Sequence, residues 1–166
     1  MTKRTCILMI ALVGMAMALT ASPSPGATPY KIGFSGPLTG DGAYYGEASK
    51  EGIELAVEEI NKAGGIKGVP IQVVYEDDRN NTADAQTVLL KLAQIDKVPL
   101  IIGINTSSVT MATCKKAQEL GVAQYSIGSN PKIGQSCSDY TFLLQGNDLE
   151  QGLEAFQAAG KELGVI

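Results

Sequence analysis

The sequence contains no histidine. This absence excludes Ser-His and Cys-His catalytic pairs, histidine metal sites, and the usual general base at neutral pH. Lys and Arg (13) are outnumbered by Asp and Glu (17), so the net charge is −4, and the basic residues form no cluster. The charge pattern therefore argues against nucleic acid or an anionic membrane surface as a partner.

The first 27 residues have the three-part pattern of a secretory signal peptide. A basic start at Lys3 and Arg4 precedes an uncharged, largely apolar run from Cys6 to Leu19, and a small, turn-rich segment follows. The alternative is a membrane anchor, but the run is shorter than the roughly 20 residues that a spanning helix needs. We therefore expect cleavage, and three positions fit: after Ala18, Ala21 or Ala27.

Residues 1–27 contain two basic residues and no acidic one, so removing them changes the net charge from −4 to −6. No later apolar run is long enough to span a bilayer, and we expect a mature protein that is not membrane-inserted. Two cysteines remain, Cys114 and Cys137. In an oxidising compartment they either form a disulfide or stay as buried thiols, and the sequence leaves both states open.

Strand-like and helix-like segments alternate along the rest of the chain. Predicted strands cover 30–35, 71–75, 100–103, 122–127 and 141–144, and predicted helices cover 45–62, 82–96, 107–120 and 148–163. In the first helix, the spacing of Ile53, Ala56, Val57 and Ile60 predicts a buried stripe. Such alternation implies right-handed crossovers and an α/β fold with a doubly wound parallel sheet.

A glycine-rich loop follows the first predicted strand. Its segment Gly40–Gly46 misses the G-x-G-x-x-G spacing of dinucleotide-binding loops by one residue, and Asp41, Tyr44 and Tyr45 would obstruct a pyrophosphate. Two interpretations remain: a tight turn that needs glycine, or a ligand loop in which Tyr45 packs on an apolar ligand group.

Hydroxyl-bearing residues follow the third and fourth predicted strands. Ser107 and Ser108 open a helix, where free amides and hydroxyls suit an anion, although simple N-capping explains them as well. After the fourth strand, the carbonyl of Gly128 and the hydroxyl of Ser129 suit an ammonium group. Because parallel strands place both loops at one sheet edge, the two patterns support a common ligand site.

The acidic segment Glu76-Asp77-Asp78 does not match a calcium-loop pattern, because Arg79 intrudes. We expect a solvated loop that leads into the second helix, capped by Asn81 or Thr82. The sequence thus predicts no metal and no cofactor.

Several segments resemble the type I periplasmic solute-binding proteins of the leucine/isoleucine/valine-binding family, which serve ABC importers. The matching segments, in the family's order and spacing, are Ser35–Gly40, Tyr45-Gly46, Gly52 with Ala56, Ile60–Gly68, Tyr75–Asp78, Ile102-Gly103, Ser107-Ser108 and Ser129–Pro131. The resemblance covers almost all of residues 30–150.

The resemblance implies two Rossmann-like lobes that close on a small solute, with no enzymatic activity. Residues 28–146 would form the N-terminal lobe and 147–166 the start of a largely missing second lobe; Gly164-Val165-Ile166 looks like the beginning of a further strand. By position, Ser107 resembles the family's carboxylate-binding serine, with Ser108 beside it. Gly128 and Ser129 resemble the contacts to the ammonium and carboxylate, and Tyr45 resembles the aromatic contact to the ligand side chain.

The implied function is an exported, periplasmic component that delivers an amino acid or similar carboxylate to an ABC transporter permease. One departure is Ile127-Gly128-Ser129, where amino-acid binders often have a segment like Gly-Ala-Thr. Ser129 keeps the hydroxyl, but Ile127 adds bulk, so the solute stays open. Two alternatives remain: a ligand-binding domain of a sensor or regulator for amides or aromatic acids, and an enzyme on a flavodoxin-like sheet.

Overall fold

The computed structural model of the protein describes residues 28–137, 139–146 and 148–162. The predicted signal peptide and the predicted strand start at Gly164-Val165-Ile166 lie outside the described residues. Within them the order of elements is β1 (Tyr30–Gly36), α1 (Ala43–Lys62), β2 (Ile71–Asp77), α2 (Thr82–Leu90), β3 (Leu100–Ile104), α3 (Ser107–Glu119), β4 (Ala123–Ser126), α4 (Ile133–Ser136), β5 (Thr141–Leu143) and α5 (Asp148–Glu162).

The described residues form two compact units, one made of 28–30 and 56–71, the other of 31–55 and 72–162. In the smaller unit, the side chain of Asn61 pairs with the backbone of Ile71 in both directions, at 2.8 Å each. The amide of Tyr30 donates to the carbonyl of Pro70 at 2.9 Å. These bonds hold the turn between the end of α1 and the start of β2.

The five strands form one sheet in the order β2-β1-β3-β4-β5. The pairings β1–β3, β3–β4 and β4–β5 are parallel, with Phe34 opposite Ile102 and Gln124 opposite Thr141 in register. The predicted α/β fold with a parallel sheet is therefore confirmed. Strand order reverses direction between β1 and β3, and ligands of such sheets bind where the order reverses, outside the carboxyl ends of the strands.

The core of the larger unit joins α2 and α3 to β3. Its buried side chains are Ala85, Val88, Leu89, Leu92, Val98, Ile101, Ile104, Val109, Ala117 and Val122. β3 reads as a wholly apolar run because both of its faces are covered, as is usual for the central strand of a parallel sheet. The apolar spacing of the second predicted helix predicts a buried stripe at Ala85, Val88, Leu89, Leu92 and Ile95. The first four belong to this core, but Ile95 is 73% exposed, so the prediction is wrong for that residue.

Two details of the helices differ from the sequence prediction. The second helix does not continue regularly to Asp96: α2 ends at Leu90, and a π-helical turn covers Lys91–Ile95. A bond from the Asp96 amide to the Lys91 carbonyl, at 3.1 Å, closes this turn. The wider turn keeps Leu92 fully buried. Lys97 then adopts φ 59°, a left-handed conformation that reverses the chain into β3.

The buried stripe predicted for α1 is wrong in part. Ile53 and Val57 are half-buried, but Ala56 is exposed, and Ile60 keeps 39% of its surface accessible. Hydrophobic periodicity identifies the helix correctly, but a stripe is buried only where another surface covers it. The described residues leave this one partly uncovered.

Candidate functional site

A cavity of about 320 Å³ opens at the carboxyl edge of the sheet. The loops after all five strands contribute to its wall. Its lining residues are Pro37, Gly42 and Tyr45 after β1, Asn80 after β2, Asn105 and Thr106 after β3, Ile127 and Ser129 after β4, and Gln145 after β5. The cavity combines an apolar surface with hydroxyl and carboxamide groups, which is the usual make-up of a small-molecule site.

Tyr45 lies at the first turn of α1 and keeps 65% of its surface accessible, so its ring is free to cover a ligand. The Tyr44 ring packs edge-on against it, with the centroids 5.6 Å apart. Asn105 holds this turn from the opposite loop: its Nδ2 donates to Ser49 Oγ at 3.1 Å and, more weakly, to the Tyr45 carbonyl at 3.4 Å. Sequence reasoning missed Asn105, although its place directly after β3 put it at the predicted sheet edge.

Asp77 fixes the loop between β1 and α1. Its carboxylate accepts hydrogen bonds from the Leu38 amide at 2.8 Å, the Thr39 hydroxyl, and the Arg79 amide at 2.9 Å. Burial alone would raise the pKa of Asp77. The hydrogen bonds to its charged form outweigh burial and hold the pKa below its ordinary value.

Asp78 has the opposite environment. It is 1% exposed, and it accepts bonds from the Ser35 hydroxyl and the Asn80 amide, both at 2.9 Å. Burial raises the pKa of this carboxyl, and the two hydrogen bonds only partly offset the rise. The expectation of a solvated acidic loop is therefore wrong for Asp78, because its side chain turns inward to join β1 to β2.

The loop after β2 also carries the cap of α2. Asn81, rather than Thr82, is the N-cap, and its Oδ1 accepts from the amides of Ala83 and Asp84 at 2.9 and 3.2 Å. The preceding Asn80 adopts φ 54° and reaches across to the next loop, where its Oδ1 accepts the Thr106 hydroxyl at 2.7 Å. Asn80 thus connects the loops after β2 and β3 at the cavity wall.

The start of α3 is not capped by its own N-cap residue. Thr106 makes no side-chain bond to the helix amides, and its hydroxyl donates to Asn80 in the neighbouring loop. Ser107 Oγ accepts from the Asn130 amide at 3.2 Å and keeps its own proton to donate elsewhere. Ser108 is exposed, with its hydroxyl 3.4 Å from that of Thr106. The arrangement leaves donors at a helix N-terminus, where an anion is favoured.

The loop after β4 approaches α3 closely. Gly128 is buried, and a Cβ placed on it would lie 3.1 Å from the Cα of Ser107. Ser129 lines the cavity, while the carbonyl of Ile127 accepts from the side chain of Gln145. Of the predicted site residues, the structure brings Tyr45 and Ser129 into the cavity wall. It places Ser107, Ser108 and Gly128 directly beside the wall.

Cys114 and Cys137 form a disulfide, with their Cα atoms 5.4 Å apart. The bond ties α3 to the residue that follows α4. Among the residues with described positions, no group of three or more His, Cys, Asp or Glu side chains is placed to hold a metal ion. The helices in this part of the chain are too short or too polar to cross a membrane.

The sheet order, together with a cavity built from all five carboxyl-end loops, defines one lobe of a small-molecule-binding protein. A family model described as periplasmic binding protein matches residues 29–165. The chain belongs to the periplasmic binding protein family, whose members bind solutes and are not enzymes. The resemblance inferred from the sequence motifs is confirmed, and the enzyme alternative is not supported.

Two relatives whose names describe amino-acid binding are consistent with membership of this family. The chain is 35% identical over 125 residues to an amino acid binding protein of Pseudomonas aeruginosa, covering 75% of this chain and 33% of that one. It is 35% identical over 127 residues to Leu/Ile/Val-binding protein homolog 1 of Brucella abortus, covering 76% and 34%. These names do not favour the sensor alternative.

One solved structure has a similar fold, and its sequence identity to this chain is close to that of the two relatives. It is LivJ, the substrate-binding protein of a branched-chain amino acid transporter of Streptococcus pneumoniae, in complex with isoleucine. The identity is 37%, the TM-score is 0.69, and the match covers 73% of this chain and 35% of LivJ. The chain therefore spans about a third of the length of the relatives that it matches.

Proposed function

We propose that this chain is the N-terminal part of an exported solute-binding component of an ABC importer. Its solute is an amino acid or a similar small carboxylate, held in a cleft between this lobe and a second one. The named relatives are binding proteins for amino acids, and one was solved with isoleucine, which supports this class of solute.

The observation that carries the proposal is the uncapped start of α3 at the cavity. Thr106 lines the cavity and donates its hydroxyl proton to Asn80, and its side chain makes no bond to the first-turn amides of the helix. A carboxylate placed there accepts hydrogen bonds from these amides and from the Ser107 hydroxyl, and the helix dipole favours its charge. Ser108 contributes a second hydroxyl at the same helix end.

The other predicted contacts complete the ligand. The Gly128 carbonyl and the Ser129 hydroxyl hold the ammonium group and help to bind the carboxylate. Tyr45 covers the apolar part of the solute from the opposite side of the cavity. Each of these groups belongs to a loop at the carboxyl edge of the same sheet, so one small solute is able to span them.

The domain boundaries follow from the same proposal. Residues 1–27 are a signal peptide that sends the protein to the periplasm, 28–146 form the N-terminal lobe, and 147–166 begin the second lobe. On α5, Leu149, Leu153 and Phe156 share one face and are exposed, as expected of a helix that the second lobe covers. Closure of the two lobes buries the solute and presents the closed form to the permease.

A thermal-shift screen of the protein with both lobes tests the proposal, because a ligand that binds the folded state raises its apparent stability. The panel contains L-isoleucine, benzoate and acetamide. We expect the melting temperature to rise with the concentration of at least one of the two carboxylates and to stay unchanged with acetamide. A melting temperature that rises with acetamide alone would instead support an amide sensor and contradict the proposal.

The 166-residue chain alone provides a second measurement. Because half of the cleft is absent from it, we expect calorimetry to detect no binding in the micromolar range. Micromolar or tighter binding by this chain would show that the N-terminal lobe is sufficient and would contradict the two-lobe cleft.

A further inference from the structure

Two buried hydroxyls lie directly beneath the candidate site. Thr110, in α3, and Ser126, the last residue of β4, are both 0% exposed, and their oxygens are 2.6 Å apart. Neither side chain reaches the cavity. A buried hydroxyl lowers stability unless its hydrogen bonds are satisfied. The hydrogen-bond partners of Thr110 and Ser126 therefore indicate which segments the two residues hold together.

The two hydroxyls have three further contacts. Thr110 Oγ1 lies 2.7 Å from the Thr106 carbonyl, and Ser126 Oγ lies 3.0 Å from the Ile104 carbonyl. The Gly128 amide donates to Ser126 Oγ at 2.8 Å. The Thr110 amide also bonds to the Thr106 carbonyl, at 3.0 Å.

Each hydroxyl has only one proton, so the pair cannot make all three of the hydrogen bonds that need a hydroxyl donor at the same time. Either Thr110 donates to Ser126 and Ser126 donates to the Ile104 carbonyl, or Ser126 donates to Thr110 and Thr110 donates to the Thr106 carbonyl. In both arrangements Ser126 Oγ remains the acceptor of the Gly128 amide. The bond from the Gly128 amide to Ser126 therefore forms whichever of the two hydroxyls donates to the other.

The pair connects the two halves of the site. Thr110 is anchored one turn inside α3, whose first residues hold the proposed carboxylate, and Ser126 holds Gly128, which belongs to the proposed ammonium site. A second bond, from the Asn130 amide to Ser107 Oγ, joins the same two loops nearer to the cavity. Gly128 has no side chain to keep the loops apart, so these bonds determine their spacing.

We propose that Thr110 and Ser126 are positioning residues of the ligand site. Through the Gly128 amide they set the distance between the start of α3 and the Gly128-Ser129 segment. The inference rests on the proposed function, because it requires a ligand that contacts both loops. A change of about 1 Å in this distance lowers affinity strongly, because the ligand must contact both loops at the same time.

The test compares three substitutions in the protein with both lobes: Ser126→Ala, Thr110→Val and the matched control Thr113→Val. Thr113 is also in α3 and buried, and its hydroxyl contacts the carbonyls of Val109 and Thr110 at 2.9 and 3.3 Å and Gln124 Oε1 at 3.1 Å, with no bond to Ser126 or Gly128. All three substitutions remove one buried hydroxyl from the same region. The probes are L-isoleucine and benzoate, measured by calorimetry, with urea unfolding as the stability measurement.

We expect Ser126→Ala and Thr110→Val to weaken binding at least tenfold, and Thr113→Val to change it less than threefold at a comparable loss of stability. Thr110→Ser, which retains the hydroxyl, is expected to restore binding to within threefold of the unchanged protein. If Ser126→Ala fails to fold, the comparison of Thr110→Val with Thr110→Ser and Thr113→Val decides the question.

Equal losses of affinity in Thr110→Val and Thr113→Val would overturn the inference and leave the proposed function intact. Failure of Thr110→Ser to restore binding would overturn it as well. If the unchanged protein binds neither probe, the proposed function fails, and the inference fails with it.

Discussion

Gly46, in the first turn of α1, lies directly against the carbonyl oxygen of Pro37: a Cβ placed on Gly46 would stand only 1.9 Å from that oxygen. No side chain fits at this distance without a backbone shift. Pro37 lines the cavity, and Tyr45 immediately precedes Gly46, so the contact sets the position of one cavity wall. Gly46 thus serves close packing of backbone on backbone, whereas Gly40 in the same loop has open space around it and a positive φ of 76°.

Gly46→Ala is expected to lower the free energy of unfolding by about 2 kcal/mol, the usual cost of forcing an extra carbon into a packed site. The matched control is Gly52→Ala on the same helix, where an added Cβ meets nothing within 4 Å. Because alanine is the better helix former, this control is expected to stabilise by about 0.5–1 kcal/mol. Urea unfolding measures both, and equal effects would contradict the packing argument.

The neighbouring carboxyls Asp77 and Asp78 are predicted to have opposite effects on the pH dependence of stability. The pKa of Asp77 is lowered in the folded state, so its contribution is present above the unfolded pKa and is lost as the pH falls through the folded pKa. The pKa of Asp78 is raised, so ionisation of this group costs stability as the pH rises from its unfolded pKa through its folded pKa.

Asp77→Asn is therefore expected to lower stability at pH 7 by about 1.5 kcal/mol, the lower end of the range for a lost charge-assisted hydrogen bond. The loss should shrink as the pH falls below the unfolded pKa, because the carboxyl of the unfolded chain then takes up a proton before the folded one does. Asp78→Asn is expected to be less harmful at pH 7 than at pH 3, because it removes a buried charge at the higher pH only. Parallel urea titrations at the two pH values check both variants, and identical pH dependence would refute the assignment.

Much of the fold could be predicted from the sequence because it depends on local signals. Periodicity predicts all five strands and four of the five helices, although the second helix ends six residues early, and cap chemistry predicts Asn81 or Thr82 at its start. The π-helical turn at Lys91–Ile95 could not be predicted, since apolar spacing over one turn hardly distinguishes it from an α-helix. The left-handed Lys97 that follows could not be predicted either, since sequence rarely signals this conformation outside glycine and asparagine.

The candidate site was less accessible to sequence reasoning. Tyr45 and Ser129 were identified by their place after strands, and the same criterion would have identified Asn105. The role of Asn80 depends on its left-handed backbone and its bond to Thr106, which no motif encodes. Polar residues within apolar segments were a neglected signal: Ser126 ends an otherwise buried strand, and its partner Thr110 is 16 positions away in the chain.

The disulfide is expected to stabilise the fold by closing the loop between Cys114 and Cys137, which are 23 positions apart. Loop closure of this length corresponds to about 3 kcal/mol of unfolding free energy. We expect the double substitution Cys114→Ala/Cys137→Ala to lose about this amount in urea unfolding under oxidising conditions. Reduction should produce a similar loss in the unchanged protein and none in the double variant, and a loss common to both would point to another cause.

Ser107→Ala is expected to weaken the binding of a carboxylate solute at least tenfold, about 1.4 kcal/mol, in the protein with both lobes. The hydroxyl already accepts from the Asn130 amide, so its remaining function is to donate its proton, and a carboxylate is the acceptor that the helix terminus favours. Ser136→Ala, at an exposed position outside the cavity, serves as the control. Calorimetry with L-isoleucine and benzoate measures both variants. An unchanged dissociation constant in Ser107→Ala would exclude this serine as the carboxylate contact, whereas a loss confined to Ser107→Ala would place the carboxylate at the start of α3.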